Sequence, residues 1–259
     1  NERADMCIIL FACNTHPDYP VIMAANRDEA YDRPTKPLHF WQGPAGILAG
    51  LDLKGGGTWM GVDRSGTIAA ITNFRHPDAI IPGAPSRGDL VSDFLLAEYT
   101  PAKYLSVVKN SGVKYSGFNL LVGNSGGFFY YSNQETVVRK VSNGIHGLSN
   151  HLLDTDWPKV AAGKAQLKHL IECGDINEES LFGILADRSR PEDHMLPDTG
   201  VGIEFEKLLS SIFIESEQYG TRSSSVLLMN KTGRITFSER TFGPYYPRTA
   251  EPVTRRFTV

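Results

Sequence analysis

Cysteine is scarce in this chain. Cys7, Cys13 and Cys173 are odd in number and far apart. They form neither a disulfide framework nor a zinc-ligand spacing, which points to a reducing compartment and to no structural metal. Long apolar runs are also missing. No stretch approaches the ~18 apolar residues of a membrane span, and the first apolar run, broken by Asn14, is too short for a signal peptide. A cytoplasmic protein is expected, with organelle targeting left open if the natural N-terminus has been trimmed. Excess charge of one sign is absent too. The formal net charge is -3, and no basic stripe with interleaved aromatics occurs. Nucleic acid is thereby excluded as a partner class. The three glycines Gly55–Gly57 are not followed by Gly-Lys-Ser/Thr, so they form no phosphate loop and read as a tight turn or a close backbone approach. No Cys-x-x-Cys-His attachment motif accompanies the scattered histidines. Internal repeats, low-complexity tracts and linkers are absent as well.

What is present is a chain of 259 residues, long enough to bury a full core in one domain. Residues 1–5 read as an N-terminal extension and 6–259 as the domain. Strand patterns cover Ile8–Ala12 and Val21–Ala25, which flank a turn-rich stretch and read as a hairpin. A Pro-rich loop is expected from Asp32 to Pro44. Strands follow at Thr58–Val62, Thr67–Asn73, Phe118–Gly123, Phe128–Ser132 and Val137–Val141, then at Ser223–Met229 and Arg234–Glu239. Helical spacing covers Asp89–Tyr99, Pro101–Lys109, Asp156–Ile171, Glu178–Ala186 and Ile203–Ile214. This order suits an α/β (α+β) domain of two stacked sheets with helices on the outer faces.

Cys7 is the residue with the most chemistry. Were Met6 and the residues before it removed, Cys7 would carry a thiol beside a free α-amine. The thiolate is a strong nucleophile, and an α-amine with a pKa of about 7.7–8.0 is a usable base. With Asn1–Asp5 and Met6 in place, that amine is locked in a peptide bond. The plainer role for Cys7 is a small buried hydrophobe at a strand start. Four polar sites stand at strand ends further on: Asn26-Arg27-Asp28-Glu29, Asn73, Asn150 and Arg222. Strand ends commonly carry function on a rigid scaffold. Asn amides can donate to a developing oxyanion, a carboxylate can hold an ammonium and Arg can hold an anion. Each has an ordinary alternative. Asn26 and Asn73 serve equally as turn formers, Asp28 with Arg27 or Arg33 as a surface ion pair, and Asn150 as a helix cap. Trp41, Trp59 and Trp157, near Gly-rich or Pro-rich loops, could line an apolar pocket or simply fill the core.

The run Asn26-Arg27-Asp28-Glu29 after Met6-Cys7 resembles the NRDE family, also called the transport and Golgi organisation 2 family. Further matching pieces are Gly55-Gly56-Gly57-Thr58-Trp59, Ile71-Thr72-Asn73-Phe74, His146-Gly147-Leu148-Ser149-Asn150, Asp156-Trp157-Pro158 and Thr221-Arg222-Ser223-Ser224-Ser225. They span the chain from Met6 to the last hairpin. That family in turn resembles the cysteine N-terminal-nucleophile hydrolases of the choloylglycine hydrolase type. The resemblance implies a four-layer αββα sandwich, with two mostly antiparallel sheets between helical layers, and cleavage of non-peptide amides without a cofactor. It places the nucleophile on Cys7, the aspartate that holds the nucleophile's amine on Asp28, an oxyanion-hole asparagine on Asn73, a second active-site asparagine on Asn150 and the late arginine on Arg222. One position departs: the arginine those hydrolases carry just before Asn-x-Asp falls on Ala25. Arg27, two residues on, would point to the same side of a strand. Asn26, Arg27 and Trp59 are the candidate ligand-binding residues. The family's biology implies a second role on the same fold, in haem or lipid and acyl-CoA trafficking. The partner is then a small-molecule substrate, or haem or acyl-CoA as cargo.

Overall fold

The computed structural model describes residues 6–43, 46–243 and 251–259. The expected extension at 1–5 and the last residue of the expected Pro-rich loop lie outside them. Two antiparallel sheets form the centre. The first runs β10 (Gly144–Leu148), β1 (Met6–Cys13), β2 (Val21–Ala30), β11 (Tyr219–Met229), β12 (Ile235–Thr241) and β13 (Val253–Thr258) in spatial order. The second runs in chain order but for its helices: β3 (Thr35–Phe40), β4 (Leu48–Asp52), β5 (Met60–Val62), β6 (Ile68–Asn73), β7 (Phe118–Asn124), β8 (Gly127–Ser132) and β9 (Val138–Lys140). Helices α3 (Pro158–Cys173) and α4 (Glu178–Leu185) cover the first sheet, while α1 (Asp89–Leu96) and α2 (Pro101–Asn110) cover the second. A short helix, α5 (Ile203–Leu208), precedes β11.

β1 is buried along its whole length because it is covered on both faces, which is why its sequence reads as an unbroken apolar run. Its side chains nonetheless divide strictly. Ile9, Phe11 and Cys13 enter the core between the sheets with Met23, Ala25, Leu121 and Phe128. Ile8, Leu10 and Ala12 meet the helices with Ile22, Ala24, Val160 and Leu181. The period of two therefore assigns every strand residue to one of two cores, and the result is the four-layer αββα sandwich.

Several elements depart from the expected order, beginning with strands β4 and β10, which fall where no strand was expected. The Pro-rich stretch holds strand β3 instead of a loop. It is an edge strand, and its ladder slips between Lys36 and His39, around Pro37. An edge or a bulge is where a sheet tolerates a missing N–H. Strand β13 was not expected at all. Its Arg255-Arg256 pair suits an outer edge that discourages further pairing. Helix α5 stops at Leu208, short of the expected Ile214, and irregular chain carries Leu209 and Ile214 into a small core around Met6 and Tyr219. The triple glycine has a packing cause. Gly57, at φ +61°, lies against the start of α1, and a Cβ there would come within 2.5 Å of the Gly88 carbonyl carbon.

Candidate active site

The first residues of β1 and the last of β2 meet at one end of the first sheet. Cys7 pairs with Arg27, and Arg27 with Ser223 on β11. Alternation carries Arg27 and Glu29 to the side of Met23 and Ala25, between the sheets, and Asn26 and Asp28 to the helix side with Ile22 and Ala24. A cleft of about 1510 Å³ opens at this end. Cys7, Arg27, Trp59, Asn73 and Arg222 all line it; Asn26, Asp28 and Asn150 are fully buried behind it.

Asn150 ties the two sheets together here. Its Oδ1 accepts from the Cys7 N–H at 3.4 Å, and its Nδ2 donates to the Asn73 carbonyl at 3.0 Å. Its neighbour completes the tie: the Ser149 hydroxyl donates to the Cys7 carbonyl at 2.9 Å, and the Thr72 hydroxyl donates to the Ser149 carbonyl at 2.6 Å. One short segment after β10 thereby fixes the thiol-bearing end of β1 against the Asn73 end of β6. These buried polar groups satisfy one another, as burial requires.

Asn26 fastens β2 to the helical layer. Its Nδ2 donates to the carbonyls of Leu185 and Ile212, both at 2.9 Å, and its Oδ1 accepts from the Ser224 hydroxyl at 2.6 Å. Asp28 accepts from the Thr221 hydroxyl at 2.6 Å. Arg222 is the extra residue of a β-bulge between Thr221 and Ser223. The bulge turns its Nη1 onto the carbonyls of Ala30, Tyr31 and Arg33, at 2.8, 3.1 and 3.1 Å, so it shapes the cleft wall after β2. Arg27 lies in an ionic network on that wall, 3.4 Å from Glu29 and 3.7 Å from Asp52, with Arg33 2.7 Å from Asp52. Burial pushes the Asp52 carboxyl up, but the Arg33 contact and two backbone N–H bonds outweigh it and hold the group below its ordinary value.

Beneath these strand ends, on the helix side, lies a charged cluster that no spacing in the sequence announces. Arg75 and Glu206 pair at 3.2 Å and are 3% and 2% exposed. The Arg75 guanidinium also stacks 4.3 Å from the Trp157 ring centre. Tyr219 accepts from the Met6 N–H at 2.8 Å. Lys159, in the first turn of α3, completes the cluster, and burial pushes its ammonium down to about 8. No motif or spacing in the sequence marks Arg75 or Lys159; only long-range packing buries them.

The loop that carries Asn150 is itself pinned. His146 and Asp154 meet at 2.7 Å, and Asp154 also accepts from Lys164 at 2.7 Å and from the Gly147 N–H at 3.0 Å. The Asp154 bond raises His146 above its ordinary 6.5, against the effect of burial. Burial alone would raise Asp154, but His146, Lys164 and Gly147 outweigh it and bring it to about 2. The His146 contribution is full below pH 6.5 and is lost as pH rises through the raised value. The Asp154 contribution is present above its ordinary 3.8 and is lost as pH falls toward 2. The melting-temperature gap between the natural protein and His146→Asn should therefore be widest between these limits and narrow above pH 6.5. A gap that widens as pH rises above 6.5 would show that the imidazolium does not pin this loop.

The sequence model of the family described as transport and Golgi organisation 2 matches residues 6–244. The chain belongs to the transport and Golgi organisation 2 family. It is 36% identical over 258 residues to the mouse transport and Golgi organization 2 homolog, covering 91% of this chain and 92% of that protein. The human homolog is 35% identical over 256 residues, with the same coverage of both chains, and the Drosophila melanogaster protein 27% identical over 269 residues, also with that coverage. Among solved structures, the Caenorhabditis elegans ortholog of N-acylethanolamine-hydrolyzing acid amidase superposes with a TM-score of 0.50 at 13% identity, covering 86% of this chain and 92% of its own. A mutant of conjugated bile acid hydrolase from Clostridium perfringens gives 0.50 at 10% identity, with 98% and 92% covered. At such identities the likeness is one of fold: this transport and Golgi organisation 2 domain shares its layered αββα sandwich with those two proteins. Among its described residues no helix is long and apolar enough to cross a membrane, and no group of three or more His, Cys, Asp or Glu side chains is placed to hold a metal ion.

Proposed function

We propose that this member of the family is a cysteine amidohydrolase for a small, non-peptide amide bound in the cleft. The observation that carries the reading is the Asn150 bridge, which joins the backbones of Cys7 and Asn73 at the edge of one cleft that both residues line. The Cys7 sulfur adds to the amide carbonyl, and the carbonyl oxygen takes the negative charge beside the Asn73 amide. The C–N bond then breaks, the amine leaves with a proton, and a thioester to Cys7 remains. Water adds to the thioester, the C–S bond breaks, and the acid and the thiol are released. The known structures that share the fold include hydrolases by name, an amidase and a bile acid hydrolase. In the chain as it stands, the Cys7 nitrogen is an amide that donates to Asn150, and an amide nitrogen takes up no proton. Service as the general base thus requires removal of the residues through Met6.

A second reading, carriage of haem or an acyl-CoA in the same cleft, is favoured by one specific observation. Met6 is 1% exposed and its N–H is bonded to Tyr219, so β1 is packed as strand one residue ahead of Cys7. The wall suits an amphiphilic anion, with Arg27 and Arg87 beside Trp59, Phe74 and Ile81, and His76 also lines it. Intact mass of tag-free protein shows whether Cys7 becomes residue one. A panel of conjugated amides and a haem titration, each run with Cys7 free and with Met6 retained, decides between the readings. Turnover only with free Cys7 is expected for the hydrolase. Saturable binding in both forms, without turnover and weakened by Arg27→Ala, would replace it with the carrier.

A further inference from the structure

Glu239 is a buried carboxyl that the amide chemistry leaves unused. It sits on β12, on the face that Phe237 presents between the sheets, and is only 4% exposed. It lines the cleft with Ser223 and Thr241. Its Oε1 accepts twice, from the Leu38 N–H at 2.7 Å and from the Thr241 hydroxyl at 3.3 Å. The first bond serves the slip in β3, where Leu38 follows Pro37. A neutral acceptor would serve that purpose as well. The second oxygen, Oε2, lies toward Gly50 of β4, another residue of the cleft wall. A Cβ on Gly50 would stand 3.8 Å from Oε2 and 3.2 Å from the Lys36 carbonyl oxygen, so the bare glycine leaves a notch beside two acceptors.

The cations nearby are engaged elsewhere. Arg27 and Arg33 each pair with both Glu29 and Asp52, at 2.7 to 3.7 Å, which closes that network two against two. Arg240 and Arg256, on the helix side of the sheet, pair with Glu179 and Glu178 of α4. Arg255 stands opposite Glu239 in the β12–β13 register and attracts it from beyond ion-pair distance. Burial raises the Glu239 carboxyl above its ordinary value, against the pull of the Leu38 N–H, the Thr241 and Ser223 hydroxyls and Arg255. Among the described residues no lysine or arginine forms an ion pair with it. A buried carboxylate without a close counter-ion is costly, so this one gains from a cation that arrives with the ligand.

We propose that Glu239 and the Gly50 notch form a cation subsite, and that the amide bound in the cleft carries a protonated amine that pairs with Glu239 Oε2. The inference rests on the reading of the cleft as the site of a small amide, and it names what that amide carries. Strand register sets the length of the ligand. Cys7, Arg27, Ser223 and Thr241 stand side by side across β1, β2, β11 and β12, and Glu239 follows Thr241 on the same face of β12. Strand spacings of about 4.8 Å, taken from β1 to β12, put the scissile carbonyl and the ammonium on the order of 10–15 Å apart. The substrate class is therefore an amide joined to an amine through an extended linker, such as an acylated long-chain diamine.

The test is calorimetric titration of the full chain, Met6 retained, with two probes of equal length. One is octanediamine acetylated at one end; the other is N-nonylacetamide, which has a methyl in place of the ammonium. The cationic probe should bind the natural protein about thirtyfold more tightly than the neutral one, the low end of what a buried charge pair is worth. Glu239→Gln keeps an oxygen for the Leu38 N–H and should bring the two affinities together. Equal affinities in the natural protein, or a preference that survives Glu239→Gln, overturn the proposal. Should that variant fail to fold, Gly50→Ala carries the test: it fills the notch, leaves the carboxyl in place and should cut the preference severalfold, and a preference kept in full overturns the proposal. Protein with free Cys7 separates this subsite from the hydrolase reading. Cleavage of both probes at equal kcat/KM sinks the subsite only. A Glu239-dependent preference without cleavage sinks the hydrolase and leaves the subsite. Binding of neither probe sinks both.

Discussion

Asn73→Ala should cut turnover of an amide substrate by about 10²–10³, the usual loss when one oxyanion donor is removed. The effect belongs in kcat, with KM nearly unmoved. The donor matters most where the carbonyl oxygen becomes charged, and little to a neutral amide at rest. The variant is well suited to the question because Asn73 takes part in the seam through its backbone carbonyl, which accepts from Asn150 and survives the substitution. Asn73 lines the cleft and is 7% exposed. Steady-state kinetics on protein with free Cys7 is the check. A rise in KM alone, with kcat preserved, would place Asn73 in ground-state binding and remove it from the oxyanion role.

Breaking the Arg75–Glu206 pair should produce the largest loss of stability. Each group is buried, and removing one strands the other as an uncompensated charge. Such singles cost about 3–5 kcal/mol, which for a domain of this size is roughly a 6–20 °C fall in melting temperature. Arg75→Met should be the worse of the two, because it leaves Glu206 and Asp28 facing Lys159 alone and also removes the stack on Trp157. Glu206→Gln keeps an oxygen for the Thr199 N–H and hydroxyl, so its loss is chiefly that of the charge. The double variant should be more stable than Arg75→Met, since both charges have gone and a buried pair is worth little more than its apolar replacement. Melting curves on the four proteins close the cycle. A double variant whose loss equals the sum of the singles would show that the two residues do not act as a pair.

How much of this was written in the sequence differs from element to element. The αββα order of strands and helices was legible because central strands and amphipathic helices carry their periods openly. The edge strands β3, β10 and β13 and the short inner strand β4 were not. Pro34, Pro37 and the Arg255-Arg256 pair argue against a strand by local rules, and an edge position suspends those rules by demanding fewer N–H donors and tolerating charge. The polar residues at the strand ends were legible as a set, but their directions were not. Asn26 and Asp28 share one face of β2 and Arg27 and Glu29 the other, and the pattern alone does not say which face meets the helices.

By itself, then, the sequence determined the family, the layer order and the residues worth asking about, since these follow from local period and from motifs in fixed order. Only the tertiary structure decided that Arg27 stands in the cleft while Asn26 and Asp28 lie behind it, that Arg222 donates to three carbonyls, and that Lys159 is buried. The physical reason is the same in each case. A side chain's surroundings are set by elements far away in the chain: by which sheet packs on which face, by a bulge that turns one arginine, and by a glycine that lets α3 press against Leu10.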